Sequence, residues 1–324
     1  MDNLIISLKV IAPLMIYMLI GVFLRKRGIL GEQLNNQVNG LIVKVFLPFM
    51  MFKNIYQADL SGVSGGFGLY TVVGLLAAWV CFYALFRLRV KDYARIGSMV
   101  QGAFRSNIII FGMAIAENLF GADHMLEMAL TIAAAVPTYN VLSVIILEVC
   151  GQKARMQAAS GGEGVVRVNA KSIAKGIATN KLIWGAILGF AVNFSHVPVP
   201  SAVSSVVAGM SGVVTPLAFI TLGASFRLSA AKENVRALAV VTFFKLVLLP
   251  LAFMALPIYW GWNRYLIGAM LLASGAPTAI SSYPMAKGMG CDGELAGEIV
   301  VVTSVASILT MFLWIFGLKQ AGLL

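Results

Sequence analysis

The 324-residue chain is 60% hydrophobic and only 11% charged, with a mean hydropathy of +0.89. Soluble domains carry about 25% charged residues, so the composition excludes a water-soluble enzyme or binding module and predicts an all-α, multi-spanning integral membrane protein. The formal net charge of +11 does not point to nucleic acid, because the basic residues are dispersed between apolar runs rather than gathered on one soluble face.

A membrane-spanning helix needs about 20 mostly apolar residues. Ten segments meet that need in chain order, at roughly 4–24, 34–56, 67–87, 94–117, 125–148, 175–195, 203–226, 235–257, 265–287 and 295–318. "MDN" puts no basic stretch before the first of them and no small-residue cleavage site follows, so span 1 is expected to stay in the protein. Basic residues collect in alternate connections: Arg25, Lys26 and Arg27; Arg87, Arg89, Lys91 and Arg95; Lys153, Arg155, Arg167, Lys171 and Lys175; Arg227, Lys232 and Arg236; and Lys287. Only Lys9, Lys53, Arg264 and Lys319 fall on the opposite side. The positive-inside rule makes the first set cytoplasmic, with both termini outside a cell's inner (plasma) membrane.

Between spans 5 and 6, "GQKARMQAASGGEGVVRVNAKS" is the one polar, Gly-rich stretch. It reads as a flexible cytoplasmic linker over residues 151–174, dividing a first half, 1–150, from a second, 175–324. The halves resemble each other. Gly21 and Gly189, like Pro48 of "LPFMMF" and Pro216 of "TPLAFI", stand 168 residues apart, and "IGSM" at 96 matches "IGAM" at 267 with an offset of 171. Five spans per half is an odd number, so the second half must enter the bilayer upside down relative to the first, as an inverted repeat.

Spans 4 and 9 are interrupted at matching places. Arg105, Ser106 and Asn107 of "AFRSNIIIFG" fall opposite Ala276, Pro277 and Thr278 of "ASGAPTAISSYP". Proline removes a backbone donor and Gly275 loosens the chain before it, while Ser106 or Asn107 can cap a new helical start, so each span is expected to break into half-helices. Arg105 lies about 11 residues into span 4, roughly 16 Å deep and near the middle of a ~30 Å hydrocarbon core. Half-helix N-termini meeting there offer N–H groups to an anion. The alternative is that Arg105 caps carbonyls released by the break, or pairs with an acid; but the acids all fall in loops or near span ends. Lys44 and Lys245 also lie within spans, each read as closer to the cytoplasmic end and able to snorkel.

These features carry a resemblance. The ten spans, "LPFMMF", the interruption at Asn107, "ASGAPTAISSYPMAKGMG" and "VVVTSVASILT" resemble the bacterial auxin efflux carrier family, relatives of the plant PIN auxin carriers. The resemblance implies a fold similar to the bile-acid sodium symporters. Helices 1, 2, 6 and 7 would form a dimerising scaffold, and helices 3–5 and 8–10 a transport domain with broken crossover helices 4 and 9. It implies elevator-type transport of small organic anions such as malonate, malate or auxin-like acids, with Asn107 and Pro277 at the family's crossover positions. Two departures stand out: the proline usual in the span-4 crossover is missing, with Met113 near its place, and Arg105 is not a general family feature. The long cytosolic loop of typical plant members is absent.

The expected substrate-binding residues are Arg105, Ser106, Asn107, Asn140, Pro277, Thr278, Ser281 and Ser282. Asn140 of "PTYNVLSV" either faces the crossover or glues helices together, and the two serines either meet substrate or bond back to their own helix. "GAILG" at 185–189 suits close helix packing against the same chain or a second one. Neither H-E-x-x-H nor G-x-S-x-G occurs, which argues against an intramembrane enzyme. Cys81, Cys150 and Cys291 have no metal or redox spacing, and His124 and His196 no ligand partners, so no metal or cofactor is expected. The lack of a mid-membrane carboxylate favours an uncoupled exporter driven by membrane potential, with a sodium- or proton-coupled symporter as the alternative and a channel or receptor as the remote one.

Overall fold

The computed structural model describes residues 2–58, 66–121, 125–159, 176, 178–195, 197–225 and 233–324, with side chains from residue 12 onward. Among the described residues every regular element is helical: α1 (Asp2–Lys26), α2 (Glu32–Tyr56), α3 (Gly66–Arg89), α4 (Tyr93–Phe104), α5 (Ile108–Phe120), α6 (Leu126–Ala159), α7 (Lys181–Ser195), α8 (Ser201–Ser225), α9 (Val235–Tyr259), α10 (Arg264–Gly275), α11 (Ser282–Gly288) and α12 (Gly293–Gln320). Six of them, α2, α3, α6, α8, α9 and α12, are long and apolar enough to cross a membrane, and α5 and α7 are shorter apolar helices.

Helix occupies each of the ten apolar segments, and in two of them it stops and restarts. α4 begins at an Asp92 cap, whose carboxylate accepts the Ala94 N–H at 2.8 Å, and ends when Arg105 turns to extended backbone (φ −80°, ψ 125°). α10 begins at an Asn263 cap, which accepts the Leu266 N–H at 2.9 Å. It ends at Ala276 (φ −62°, ψ 150°), where Pro277 bars the helical conformation from the residue before it. The two loose ends meet in an isolated antiparallel bridge between Ser106 and Thr278, and the Asn107 N–H donates to the Pro277 carbonyl at 2.7 Å. Backbone groups freed by the breaks thus find partners in each other, which a low-dielectric setting demands.

A wider π turn precedes a proline in both α2 (Ile42–Phe46, then Pro48) and α9 (Phe244–Leu248, then Pro250). Pro250 has no N–H for the carbonyl of Leu246, one turn back, and the Trp314 indole donates to it instead at 2.9 Å.

Glycine sets how closely other helices approach. A Cβ on Gly21 of α1 would stand 2.0 Å from the Ile220 carbonyl oxygen of α8, and one on Gly223 of α8 would stand 2.0 Å from that of Met18. Gly185 of α7 would meet the Pro48 carbonyl of α2 at 2.5 Å. The "GAILG" pattern therefore packs against its own chain. Its alternative partner, a second copy, is not needed to explain it.

Residues 151–159, expected as the start of the linker, are helical instead. α6 continues to Ala159, because "GQKARMQAA" has high helix propensity and Gly151 fits against the Met289 carbonyl. The remainder of the linker, 160–174, lies outside the described residues. So do His124, His196, Asp59, Asp123, Arg227, Lys232, Lys175 and the side chain of Lys9.

Candidate functional site

The α4/α5 break places three polar side chains in a row with three different orientations. Arg105 is 3% exposed, and its guanidinium donates to Asn140 Oδ1 of α6 at 2.9 Å and to Ser281 Oγ at 2.8 Å. A second guanidinium nitrogen lies 2.7 Å from Met285 Sδ. Among the described residues no acid pairs with it, and the charge is held by neutral acceptors. Nor does Arg105 cap a carbonyl freed by the breaks.

That capping belongs to Lys245. Its side chain is fully buried, and Nζ donates to the Ser274 carbonyl at 2.7 Å and to Ser106 Oγ. The expectation that Lys245 snorkels to the cytoplasmic end is overturned, for a simple reason of depth: it is the eleventh residue of the 25-residue α9, about 15 Å along its axis. Ser106 is consequently engaged with α9 and α10 rather than capping α5. Asn107 precedes α5 without a side-chain cap, so the expected caps do not form. Ser281 likewise precedes α11 without one.

In front of the breaks lies a cavity of about 210 Å³. It brings together Arg105, Ser106, Asn107, Asn140 and Ser281 from the expected set. Pro277, Thr278 and Ser282 stand behind it. Pro277 accepts from Asn107; Thr278 Oγ1 donates to the Gly102 carbonyl at 2.8 Å while its N–H donates to Thr303 Oγ1; and the buried Ser282 hydroxyl has no hydrogen-bond partner among the described residues. Sequence reasoning missed the opposite wall. Lys53 and Asn54, both half-buried on α2, line the cavity together with Thr215 of α8. Lys53 had been read only as an outer-side charge; its place three residues before the end of α2 was the available signal. Tyr139, one residue before Asn140, also lines the cavity, and its hydroxyl donates to the Ala273 carbonyl at 2.7 Å.

Electrostatically the cavity is one-sided. It contains the cations Arg105 and Lys53, and among the described residues none of its lining is acidic. Asn140, 3% exposed, gives its oxygen to Arg105 and keeps a buried amide nitrogen with no partner among the described residues. At the start of α5 the first N–H groups have no carbonyl one turn behind them, and Ile108, Ile109 and Ile110 line the cavity. The other half-helix behaves differently from expectation: the Ser282, Tyr283 and Met285 N–H groups of α11 are bonded to Ala279, Ile280 and Ser281. Lys44 stands elsewhere, exposed beside a separate cavity with Glu148, Arg155 and Lys181.

The membrane transport protein family matches residues 6–315. This chain belongs to that family. The resemblance to the auxin efflux carriers holds, and the protein is a multi-pass membrane transporter rather than an enzyme, acting on a small-molecule substrate within a lipid environment. Full-length relatives include an uncharacterized transporter of Methanothermobacter thermautotrophicus, 21% identical over 312 residues, 95% of this chain and 97% of that one. The uncharacterized transporter YfdV of Escherichia coli K12 is 24% identical over 316 residues, 94% of this chain and 95% of its own. A Rhizobium meliloti protein provisionally named a malonate transporter is 23% identical over 279 residues, 85% and 84% of the two chains.

Proposed function

We propose that this transporter carries a small organic dianion, a dicarboxylate of malonate size, bound in the cavity between α2 and the α4/α5 break. The observation that carries the reading is the amide nitrogen of Asn140, unpartnered among the described residues and buried beside Arg105 in a cavity whose described lining has two cations and no acid. A buried donor without an acceptor costs about 1–3 kcal/mol, and a carboxylate supplies the acceptor. Arg105, Asn107 and Asn140 would take one carboxylate and Lys53 with Asn54 the other. The name of the Rhizobium relative supports the same class of substrate.

Transport would proceed by alternating access of an inverted repeat. Supporting it, α4 and α10 are both 12 residues long, start 171 positions apart, and each opens on a side-chain cap. The close approach of Gly21 to the Ile220 carbonyl has a counterpart in Gly189 and the Phe52 carbonyl, with every position shifted by 168. α1, α2, α7 and α8 would form the scaffold and dimer contact, and the remaining helices would move against it as an elevator, with both termini outside the plasma membrane.

Lys245 bears on energy coupling. Its side-chain nitrogen takes the Ser274 carbonyl and the Ser106 hydroxyl, oxygens of the type a sodium ion would need, which favours uncoupled export over symport with sodium. A thermal-shift screen of the purified protein tests the substrate class. Malonate, succinate and malate should raise the melting temperature more than acetate at equal ionic strength; stabilisation by organic cations alone would overturn the reading.

A further inference from the structure

A second cavity, of about 470 Å³, lies at the other end of the molecule's charge pattern, between the C-terminal turn of α3 and the N-terminal turns of α4 and α9. α3 and α9 are held together further along, where the Tyr70 hydroxyl donates to the Phe253 carbonyl at 2.9 Å. They are still in ring contact at Phe86 and Phe244, with centroids 6.0 Å apart. Beyond that pair the cavity opens between them. Its floor is apolar, formed by Phe86, Phe244 and Met99, and Leu85 on its wall is 37% exposed.

The rim is basic. Arg89, Arg95 and Arg236 border the cavity against a single acid among the described residues, Glu233. Arg95 is oriented by Asn234 Oδ1 at 2.7 Å and by Asp292 at 3.6 Å. Arg89 and Arg236 are exposed and have no carboxylate partner among the described residues. These arginines belong to the connections that the positive-inside rule assigns to the cytoplasmic surface, where anionic lipid headgroups lie.

We propose that this cavity is a binding site for an anionic phospholipid, its phosphate held by Arg89, Arg236 and Arg95 and one acyl chain laid along the Phe86–Phe244 floor. Seven of the eleven lining residues are apolar, so a soluble phosphate would satisfy the rim and leave the floor bare, whereas a zwitterionic lipid would cover the floor and bring its own cation to the guanidinium groups. Charge and shape together select a lipid with net negative charge. The site is separate from the substrate cavity, with no residue common to the two linings, so it stands or falls independently of the substrate.

Native mass spectrometry of the detergent-purified protein titrated with phosphatidylglycerol or phosphatidylcholine tests the site. Wild type should retain phosphatidylglycerol in preference to phosphatidylcholine. At about fivefold per arginine near a membrane surface, the Arg89→Gln/Arg236→Gln double variant should lose roughly 30-fold in that preference. Ala237→Trp, which fills the cavity and leaves the charges intact, should lose it as well. Monodisperse elution of both variants establishes folding. Equal retention of the two lipids by wild type, undiminished preference in the double variant, or full competition by glycerol 3-phosphate would each overturn the proposal, the last by showing a site for a soluble anion.

Discussion

Arg105 keeps its charge inside the protein on neutral partners, Asn140, Ser281 and Met285. An arginine so placed is stabilised further by any anion that enters, through charge-assisted hydrogen bonds of about 1.5–3 kcal/mol. Arg105→Ala should therefore weaken dicarboxylate binding about 10- to 150-fold in calorimetry, and Arg105→Lys should recover only part, since an ammonium cannot reproduce the planar fork. Lys53, half-buried on the opposite wall, should behave differently: Lys53→Gln is expected to cost a dicarboxylate roughly fivefold and a monocarboxylate almost nothing. Equal losses for both classes would place the second carboxylate elsewhere. Arg105 could be found in the sequence because a cation and two hydrogen-bonding neighbours interrupt an apolar run. Lys245 was missed although the same depth arithmetic applies to it; its neighbours in "FFKLVLLP" are apolar, and its partners Ser106 and Ser274 lie 139 and 29 residues away.

At the level of helices, the breaks were legible for a local reason. Pro277 and Gly275 disrupt α10, and nothing long-range is needed to predict that. How the breaks are satisfied was not legible, because Ser106 bonds to α9 and α10 instead of capping α5, a choice made by packing. The end of α6 also differs from the composition signal: a linker was expected from Gly151, but the helix continues to Ala159, with Gly151 against the Met289 carbonyl. The small-residue pattern in α7 was visible, while its partner, the Pro48 carbonyl of α2, required the fold. Since a Cβ on Gly185 would lie 2.5 Å from that oxygen, Gly185→Leu must push α7 away from α2. It should destabilise the protein by about 1–3 kcal/mol, read as a lowered melting temperature in detergent, whereas Gly209→Leu on α8, with open space around it, should melt like wild type. Equal melting of the Gly185 variant would show that the α2–α7 contact is not tight.

For the whole molecule, the charge pattern predicts an orientation and a driving force. In an otherwise cysteine-free protein, Gln57→Cys should react with an impermeant maleimide in intact cells and Ala159→Cys only after the cells are opened; the reverse pattern would invert the topology. A dianion leaving a cell with an inside-negative potential gains about 4.6 kcal/mol per 100 mV, twice the value for one charge, enough for export without a coupled ion. Arg105 is proposed to bind an organic dianion on its way across the membrane. The most direct test is efflux of radiolabelled malonate from sodium-free proteoliposomes holding an inside-negative potassium–valinomycin potential, wild type against Arg105→Ala. The account predicts rapid potential-driven efflux from wild type and its near-complete loss in the variant. Efflux from Arg105→Ala as fast as from wild type would contradict it.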